Sequence, residues 1–208
     1  MNIVDLLKQH VGASDKISKI LNMGDYYGVT DSKILLMLPK SYIPEGVSPD
    51  DLSVNPPDTS FIFNLPLREV PFEFTLQQLI DALDKVPKVQ DFEECSQCEG
   101  WGKVECECCG NNTDCDDCDG SGEGDPIPGQ FSYNYEYMLE IDKSCISVDC
   151  IENIVHLLIN LGVSPEETIK MIASEVYKPH LFEVKDIKFI SVPVHSGYTE
   201  KDFMIKVC

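Results

Sequence analysis

Two copies of one cysteine–glycine motif constrain this chain more than any other feature. Residues 95–102 (CSQCEGWG) and 115–122 (CDDCDGSG) both follow the pattern CxxCxGxG. Each CxxC turn brings two sulfurs to one face, and four thiolates close a tetrahedron around a borderline-soft d¹⁰ ion such as zinc. Glycine just after a ligating cysteine permits a positive φ or amide N–H groups that point at sulfur. The duplication predicts one zinc site with the ligands Cys95, Cys98, Cys115 and Cys118.

The same residues resemble the repeats of the cysteine-rich zinc domain in DnaJ-type (Hsp40) co-chaperones. The resemblance covers residues 95–122 and implies a zinc-bound fold with unfolded or flexible polypeptide as its ligand class. That family typically has four repeats and two zinc ions, whereas two complete repeats stand here. The histidine-proline-aspartate tripeptide of the J domain is absent from the sequence. The resemblance therefore implies a DnaJ-like, chaperone-like binding module without the segment that engages Hsp70.

A third group of cysteines lies between the two repeats. In the run CECCG, Cys106 and Cys109 repeat the CxxC spacing but lack the second glycine of the motif. One interpretation places them, with Cys108, at the tip of a β-ribbon as free thiols beside a single zinc ion. The alternative is a second zinc ion bound by Cys106 and Cys109, with Cys108 and a distant Cys145 or Cys150 completing its ligands. Ligand spacing favours one zinc ion over two.

Disulfides and redox catalysis are the competing interpretations of ten cysteines. Disulfides are expected in a secreted chain. The N-terminus, MNIVDLLKQH, has neither the basic region nor the long apolar region of a signal peptide, so we expect a reducing cytoplasm, in a bacterium or a phage. A CxxC pair can exchange disulfides when its thiol pKa is low. Here we expect the surrounding carboxylates to raise the thiol pKa values, which disfavours redox catalysis.

Acidic side chains are concentrated in the segment that holds the cysteine motifs. The formal net charge of the chain is −20, and residues 91–125 carry twelve acidic residues against Lys103 alone, a net −11. Such a segment repels a phosphate backbone, so direct nucleic-acid binding is disfavoured. The acidic surface is a solvated face, a docking surface for a basic partner or a mimic of nucleic acid.

The flanking sequence predicts one α+β domain, with a mainly antiparallel sheet and packed helices, interrupted by the zinc-binding β-ribbon. Residues 1–90 and 126–208 form this discontinuous domain, and residues 91–125 form the inserted acidic module. A chain of 208 residues that is 43% hydrophobic allows one ordinary core. No stretch approaches the roughly 20 apolar residues of a membrane span, so no membrane partner is expected.

Local patterns assign the elements of this domain. Helices are predicted at 3–10, 14–21, 75–86, 150–161 and 164–177. Strands are predicted at 26–29, 33–38, 61–65, 69–74, 181–184, 187–194 and 202–207, with 131–141 a strand or a strand entering a short helix. Residues 44–60 should form a long surface loop. The helix at 164–177 rests on a capping box, because Ser164 and Pro165 are followed by Glu167.

A second resemblance concerns the framework around the cysteines. The segments GVTDSKIL, from Gly28, and LFEVKDIKFISVPV, from Leu181, are similar to modules of sliding-clamp-like proteins. In those modules a strand pair near a threonine-aspartate turn and a late strand with a proline recur. The resemblance implies a sliding-clamp-like accessory protein as an alternative, although the chain has neither the length nor the basic inner surface of a complete clamp.

These patterns together favour a zinc-binding, non-enzymatic module that binds a protein or peptide. The four histidines are far apart and lack metalloprotease spacing. Four thiolates also fill the coordination position that a catalytic zinc keeps open. Trp101, the only tryptophan, should pack over the ribbon or face the partner. The remaining alternatives are a zinc- or thiol-dependent enzyme that uses Cys106, Cys108 or Cys109, and a nucleic-acid-mimicking accessory protein.

Overall fold

The computed structural model describes residues 20–30, 33–43, 67–106, 108–173, 179–191 and 203–207. Contacts divide the chain into two units, one formed by Met1–Val86 with Tyr135–Cys208 and the other by Pro87–Asn134. The predicted insertion at 91–125 lies within the second unit. The segments predicted at 3–10, 44–60 and 61–65 lie outside the described residues.

Strands dominate the described part of the chain. They are β1 (Leu21–Met23), β2 (Tyr26–Thr30), β3 (Ile34–Pro39), β4 (Leu67–Thr75), β5 (Lys88–Glu94), β6 (Lys103–Glu105), β7 (Asn112–Asp114), β8 (Glu123–Tyr133), β9 (Met138–Ile141), β10 (Ser144–Ser147), β11 (Thr168–Ala173), β12 (His180–Val184), β13 (Ile187–Ser191) and β14 (Met204–Lys206). The α-helices described are α1 (Leu76–Leu83) and α2 (Val148–Asn160). The fold is therefore α+β with mostly antiparallel strands.

The first unit contains a seven-stranded antiparallel sheet in the order β1-β2-β3-β13-β12-β11-β4. Its strand β3 is buried from Ile34 to Leu38, as a continuous apolar run predicts for a strand covered on both faces. On the neighbouring strands the rings of Phe182 and Phe189 stack with centroids 4.9 Å apart. Aromatic and branched side chains on adjacent strands thus form the centre of this core.

The helices predicted at 75–86 and 150–161 are both present, but α1 ends earlier, at Leu83, and α2 begins earlier, at Val148. The Thr75 hydroxyl accepts from the Gln78 N–H at 3.2 Å and the Gln78 side chain accepts from the Thr75 N–H at 2.8 Å, which completes a capping box at α1. Helix α2 is followed by Gly162 at φ 75°, the left-handed residue that commonly ends a helix. Neither described helix is long and apolar enough to cross a membrane.

A smaller three-stranded sheet, in the order β10-β9-β14, completes the first unit. Strand β14 pairs with β9 in parallel, with Ile205 opposite Leu139. The predicted edge strand at 202–207 is therefore present as β14. The segment predicted at 131–141 contains the end of β8 and the whole of β9, so its strand interpretation is confirmed and no helix enters it.

The helix predicted at 164–177 is wrong over its described residues. The Glu167 N–H donates to the Ser164 carbonyl at 2.9 Å in a turn, and strand β11 begins at Thr168. Ile169 and Met171 are fully buried, whereas Lys170 between them is exposed, which is the period of a strand. Strand β11 pairs with both β4 and β12, and this pairing overrides the capping signal. The predicted helix at 14–21 is also wrong at its end, because Leu21 begins β1.

His180 is a buried polar residue in the large sheet. It lies opposite Ser191 on the paired strand and is 1% exposed. Its ring nitrogens have no hydrogen-bond partner among the described residues. Burial, and secondarily the Arg68 charge, lower the pKa of His180 to about 4. The folded state therefore holds this imidazole neutral at pH values where an exposed histidine is charged.

We expect stability to fall between about pH 6.5 and pH 4 because the unfolded chain binds a proton at this histidine that the folded chain excludes. His180→Phe removes this contribution. As pH falls, the unfolding free energy of the wild type should therefore decrease more than that of the variant. Urea denaturation at several pH values measures it. His156→Gln, on the exposed face of α2, is the matched control and should keep the wild-type pH dependence. Equal pH dependence in His180→Phe and wild type would contradict the assignment.

Candidate metal centre

The second unit consists of two antiparallel ladders joined by the two cysteine motifs. Strand β5 pairs with β8, and β6 pairs with β7. The first motif, residues 95–102, connects β5 to β6, and the second motif, residues 115–122, connects β7 to β8. Each motif therefore leads from one ladder to the other, and the two motifs meet where the ladders join.

Reciprocal backbone hydrogen bonds tie the two motifs together. The Cys95 N–H donates to the Gly122 carbonyl at 2.8 Å, and the Cys115 N–H donates to the Gly102 carbonyl at 2.9 Å. The first cysteine of each motif is thus bonded to the last glycine of the other. Because each contact has its counterpart, the motifs are related by an approximate two-fold symmetry.

Within each motif a glycine N–H points at a cysteine sulfur. The Gly102 N–H donates to Cys98 Sγ at 3.2 Å, and the Gly122 N–H donates to Cys118 Sγ at the same distance. This is the role predicted from the sequence for the glycines after the cysteines. Such N–H donors stabilise negative charge on sulfur, as a metal-bound thiolate requires.

The last glycine of each motif is required by space as well as by backbone conformation. Gly102 has φ 68° and Gly122 has φ 83°, in the left-handed region that favours glycine. A Cβ on Gly102 would lie 2.2 Å from the Gly120 carbonyl oxygen, and a Cβ on Gly122 would lie 2.3 Å from that of Gly100. The two glycine segments therefore pack backbone against backbone and leave no room for a side chain.

The four cysteine sulfurs of the motifs converge in one cluster. The Cys95 and Cys115 sulfurs are 3.8 Å apart, the Cys98 and Cys118 sulfurs are 3.7 Å apart, and all four lie within 4.8 Å of one another. Zinc–sulfur bonds of about 2.3 Å at tetrahedral angles place sulfurs about 3.8 Å apart. This four-sulfur cluster could hold a metal ion, and its two measured sulfur–sulfur distances match those of a tetrahedral tetrathiolate.

Burial isolates the four-sulfur cluster from water. Cys95, Cys98 and Cys115 are at most 6% exposed, and Cys118 is half-buried. Val104 is the other hydrophobic side chain that packs against these cysteines among the described residues. With so little apolar material, the cysteines themselves occupy the centre of this unit.

The thiol pKa values in this cluster are split by burial and by hydrogen bonds. Burial raises the pKa of Cys98 and raises the pKa of Cys115 to about 12. Burial also raises the pKa of Cys118, but the Gly122 N–H and the neighbouring thiols outweigh it and lower that pKa to about 7. A metal ion must therefore displace protons from buried sulfurs here, and acid opposes its binding.

A second group of sulfurs lies at the tip between β6 and β7. The sulfurs of Cys106, Cys108 and Cys109 lie within 4.8 Å of one another, and this three-sulfur cluster could also hold a metal ion. Cys106 is half-buried, whereas Cys108 and Cys109 are exposed. The sequence paired Cys106 with Cys109 by their CxxC spacing and considered Cys108 as a further ligand. The structure brings all three sulfurs together.

The expectation that acidic surroundings raise the thiol pKa values is wrong for Cys118, whose pKa is also about 7, and for Cys106. The pKa of Cys106 is lowered to about 7, first by a hydrogen bond from the Cys108 thiol and then by the backbone N–H of Cys108 and by Cys109. In contrast, the hydrogen bond with Cys106 raises the pKa of Cys108. Local donors in the turn therefore set the direction of this shift. Cys145 and Cys150, considered as distant ligands, are buried in the first unit and belong to neither sulfur cluster.

Trp101 is exposed, although its place in the motif does not require a large side chain. The backbone N–H of Trp101 donates to the Cys98 carbonyl at 2.9 Å, and the backbone N–H of Ser121 makes the equivalent bond to the Cys118 carbonyl. Ser121 thus fills the position of Trp101 in the second motif. The indole is 82% exposed and borders a groove of about 740 Å³ that Glu99, Lys103 and Glu105 also line.

Comparison with known proteins assigns no family. No protein-family model matches the chain, and no curated protein matches it. Solved structures similar to it include "Caulobacter crescentus pol III beta" (10% identity, TM-score 0.44, 93% of this chain and 63% of that chain). The DNA polymerase sliding clamps from Pseudomonas aeruginosa (12%, 0.44, 96% and 63%) and Bacillus subtilis (13%, 0.41, 95% and 63%) are further examples. The chain spans 63% of the length of these structures, and at these scores the likeness assigns neither a family nor an activity.

Gly102→Ala should separate the two motifs and weaken the backbone hydrogen bonds between them. The substitution places an alanine in the left-handed region, and its Cβ clashes with the Gly120 carbonyl. Hydrogen exchange at the Cys95 and Cys115 amides measures the effect, and protection should be lost. Gly129→Ala is the matched control, since Gly129 has φ 75° but nothing within 4 Å of an added Cβ. That control should lose only about 1–2 kcal/mol of stability, because its alanine is held in the left-handed conformation. Equal loss of protection in both variants would contradict the packing argument.

Proposed function

We propose that this chain is a zinc-binding, non-enzymatic protein-interaction module whose four-sulfur cluster holds one structural zinc ion. The observation that supports this most directly is the 3.7–3.8 Å spacing of the paired sulfurs. Four soft donors at tetrahedral distances favour zinc among the common cellular cations. In this proposal residues 91–125 are an acidic zinc ribbon inserted into the α+β domain of residues 1–90 and 126–208.

The structural role of the zinc follows from what the second unit lacks. Its ladder β6–β7 has three residues in each strand, and the cysteines with Val104 make up its apolar cluster. A module with so small a core needs a metal or disulfides to remain folded. The binding of structural zinc contributes about 10–16 kcal/mol of apparent folding free energy to such folds at neutral pH. All four coordination positions are filled by protein, which leaves none for a substrate.

The proposed interaction surface centres on Trp101. Because Ser121 occupies the position of Trp101 in the second motif, the fold of the motif does not require an indole there. A large exposed aromatic side chain of this kind is typical of binding surfaces. Glu99 and Glu105 beside it, within a segment of net charge −11, favour a cation. The partner is therefore an extended polypeptide that places a lysine or arginine over the indole. The DnaJ-type resemblance implies the same class of ligand.

Removing one ligand tests the metal site. Cys95→Ser and Cys118→Ser should each release zinc and make residues 91–125 sensitive to protease, while the first unit stays folded. Elemental analysis and limited proteolysis measure these outcomes, and the visible spectrum of the cobalt-substituted protein reports the tetrathiolate geometry. Cys109→Ser lies outside the four-sulfur cluster and should keep that spectrum. Full zinc content in both ligand variants would show that these cysteines are not the ligands.

Trp101→Ser, which installs the residue of the second motif, tests the interaction surface. The probe is an unstructured peptide of alternating arginine and serine, and the control peptide carries glutamate in place of arginine. The arginine peptide should change the fluorescence of Trp101, the only tryptophan, and Trp101→Ser should weaken its binding about 2- to 30-fold in calorimetry. Phe131→Ser, another exposed aromatic, should bind like wild type. Equal affinity for both peptides would exclude this surface as the cation site.

A further inference from the structure

The three-sulfur cluster is left unexplained by a single structural zinc ion. A turn between β6 and β7 brings its sulfurs together, because the Cys106 carbonyl accepts from the Gly110 N–H at 2.8 Å and the Cys106 N–H donates to the Asn111 carbonyl at 2.8 Å. Gly110, at φ 70°, makes that turn possible. The backbone therefore fixes the positions from which Cys106, Cys108 and Cys109 extend.

The number and exposure of these sulfurs distinguish them from the four-sulfur cluster. Among the described residues the cluster offers three ligand atoms, and two of its three cysteines are exposed. A structural zinc site uses four protein ligands and is closed. Three thiolates instead suit a soft monovalent d¹⁰ cation, because thiolate donors select copper(I) and such an ion is stable with low coordination numbers. The acidic segment around the turn also favours a cation over an anion.

We propose that Cys106, Cys108 and Cys109 form a second metal site, separate from the zinc centre, that binds one copper(I) ion through three sulfurs with one side open to solvent. This goes beyond the proposed function, which needs no metal at the tip. Binding displaces the remaining thiol protons to solvent and changes no oxidation state. The Cys106 and Cys108 sulfurs are 2.9 Å apart, so they must separate by about 1 Å to share an ion at metal–sulfur distances near 2.3 Å. A side-chain rotation of the exposed Cys108 provides this separation.

The test is a competition for copper(I) with the zinc-loaded full chain. Copper(I) is supplied as its bathocuproine disulfonate complex under anaerobic, reducing conditions, and loss of the colour of the complex reports transfer. Wild type should take one equivalent of copper and keep its zinc, as measured by elemental analysis. The triple variant Cys106→Ser, Cys108→Ser and Cys109→Ser should lose this equivalent and also keep its zinc. Cys208→Ser, which changes a thiol outside the described residues, is the control and should behave like wild type.

Two results would overturn the second site. One is equal copper uptake by the wild type and the triple variant. The other is release of zinc in proportion to copper bound, which would place the copper in the four-sulfur cluster. Cys108→Ser alone, at an exposed position, gives a version of the test that does not depend on three simultaneous changes. A chain that carries no zinc but still takes one copper through these three cysteines would refute the proposed function and leave this inference intact.

Discussion

The convergence of four sulfurs is the constraint on which the second unit depends. Two antiparallel ladders meet there, and three of the four thiols are withdrawn from water. The glycines serve the same end, because Gly102 and Gly122 allow the two motifs to approach backbone to backbone. Strand pairing, positive φ values and N–H donors to sulfur thus all follow from bringing the same four atoms to one point.

Much of the fold could be predicted from local sequence signals. The strands predicted at 26–29, 33–38 and 181–184 and the helix predicted at 150–161 follow local patterns, and the structure contains all four with ends shifted by one or two residues. The strand β11 could not be predicted in this way. The capping-box sequence at Ser164–Glu167 forms a turn before this strand. The residues after the turn pair with β4 on one side and β12 on the other, and this pairing depends on tertiary contacts that local sequence does not show.

The candidate site shows the same division. Spacing alone identified the four cysteines that converge, since a repeated CxxCxGxG is a strong local rule. The membership of Cys108 in the three-sulfur cluster depends on the shape of a turn, and the exposure of Trp101 depends on packing. Thiol pKa values were mispredicted because net charge is a property of the sequence, whereas the donors that lower the pKa of Cys106 are set by the backbone. Short-range hydrogen bonds, and not net charge, therefore set the direction of this shift.

The approximate two-fold relation of the motifs has a consequence for how order arises in the second unit. Each motif supplies two of the four sulfurs and closes its hydrogen bonds on the other, as the Cys95 to Gly122 and Cys115 to Gly102 bonds show. Neither half is complete without its counterpart. Formation is accordingly cooperative, because an ion that arrives at one motif finds only two of its four ligands until the second motif has docked.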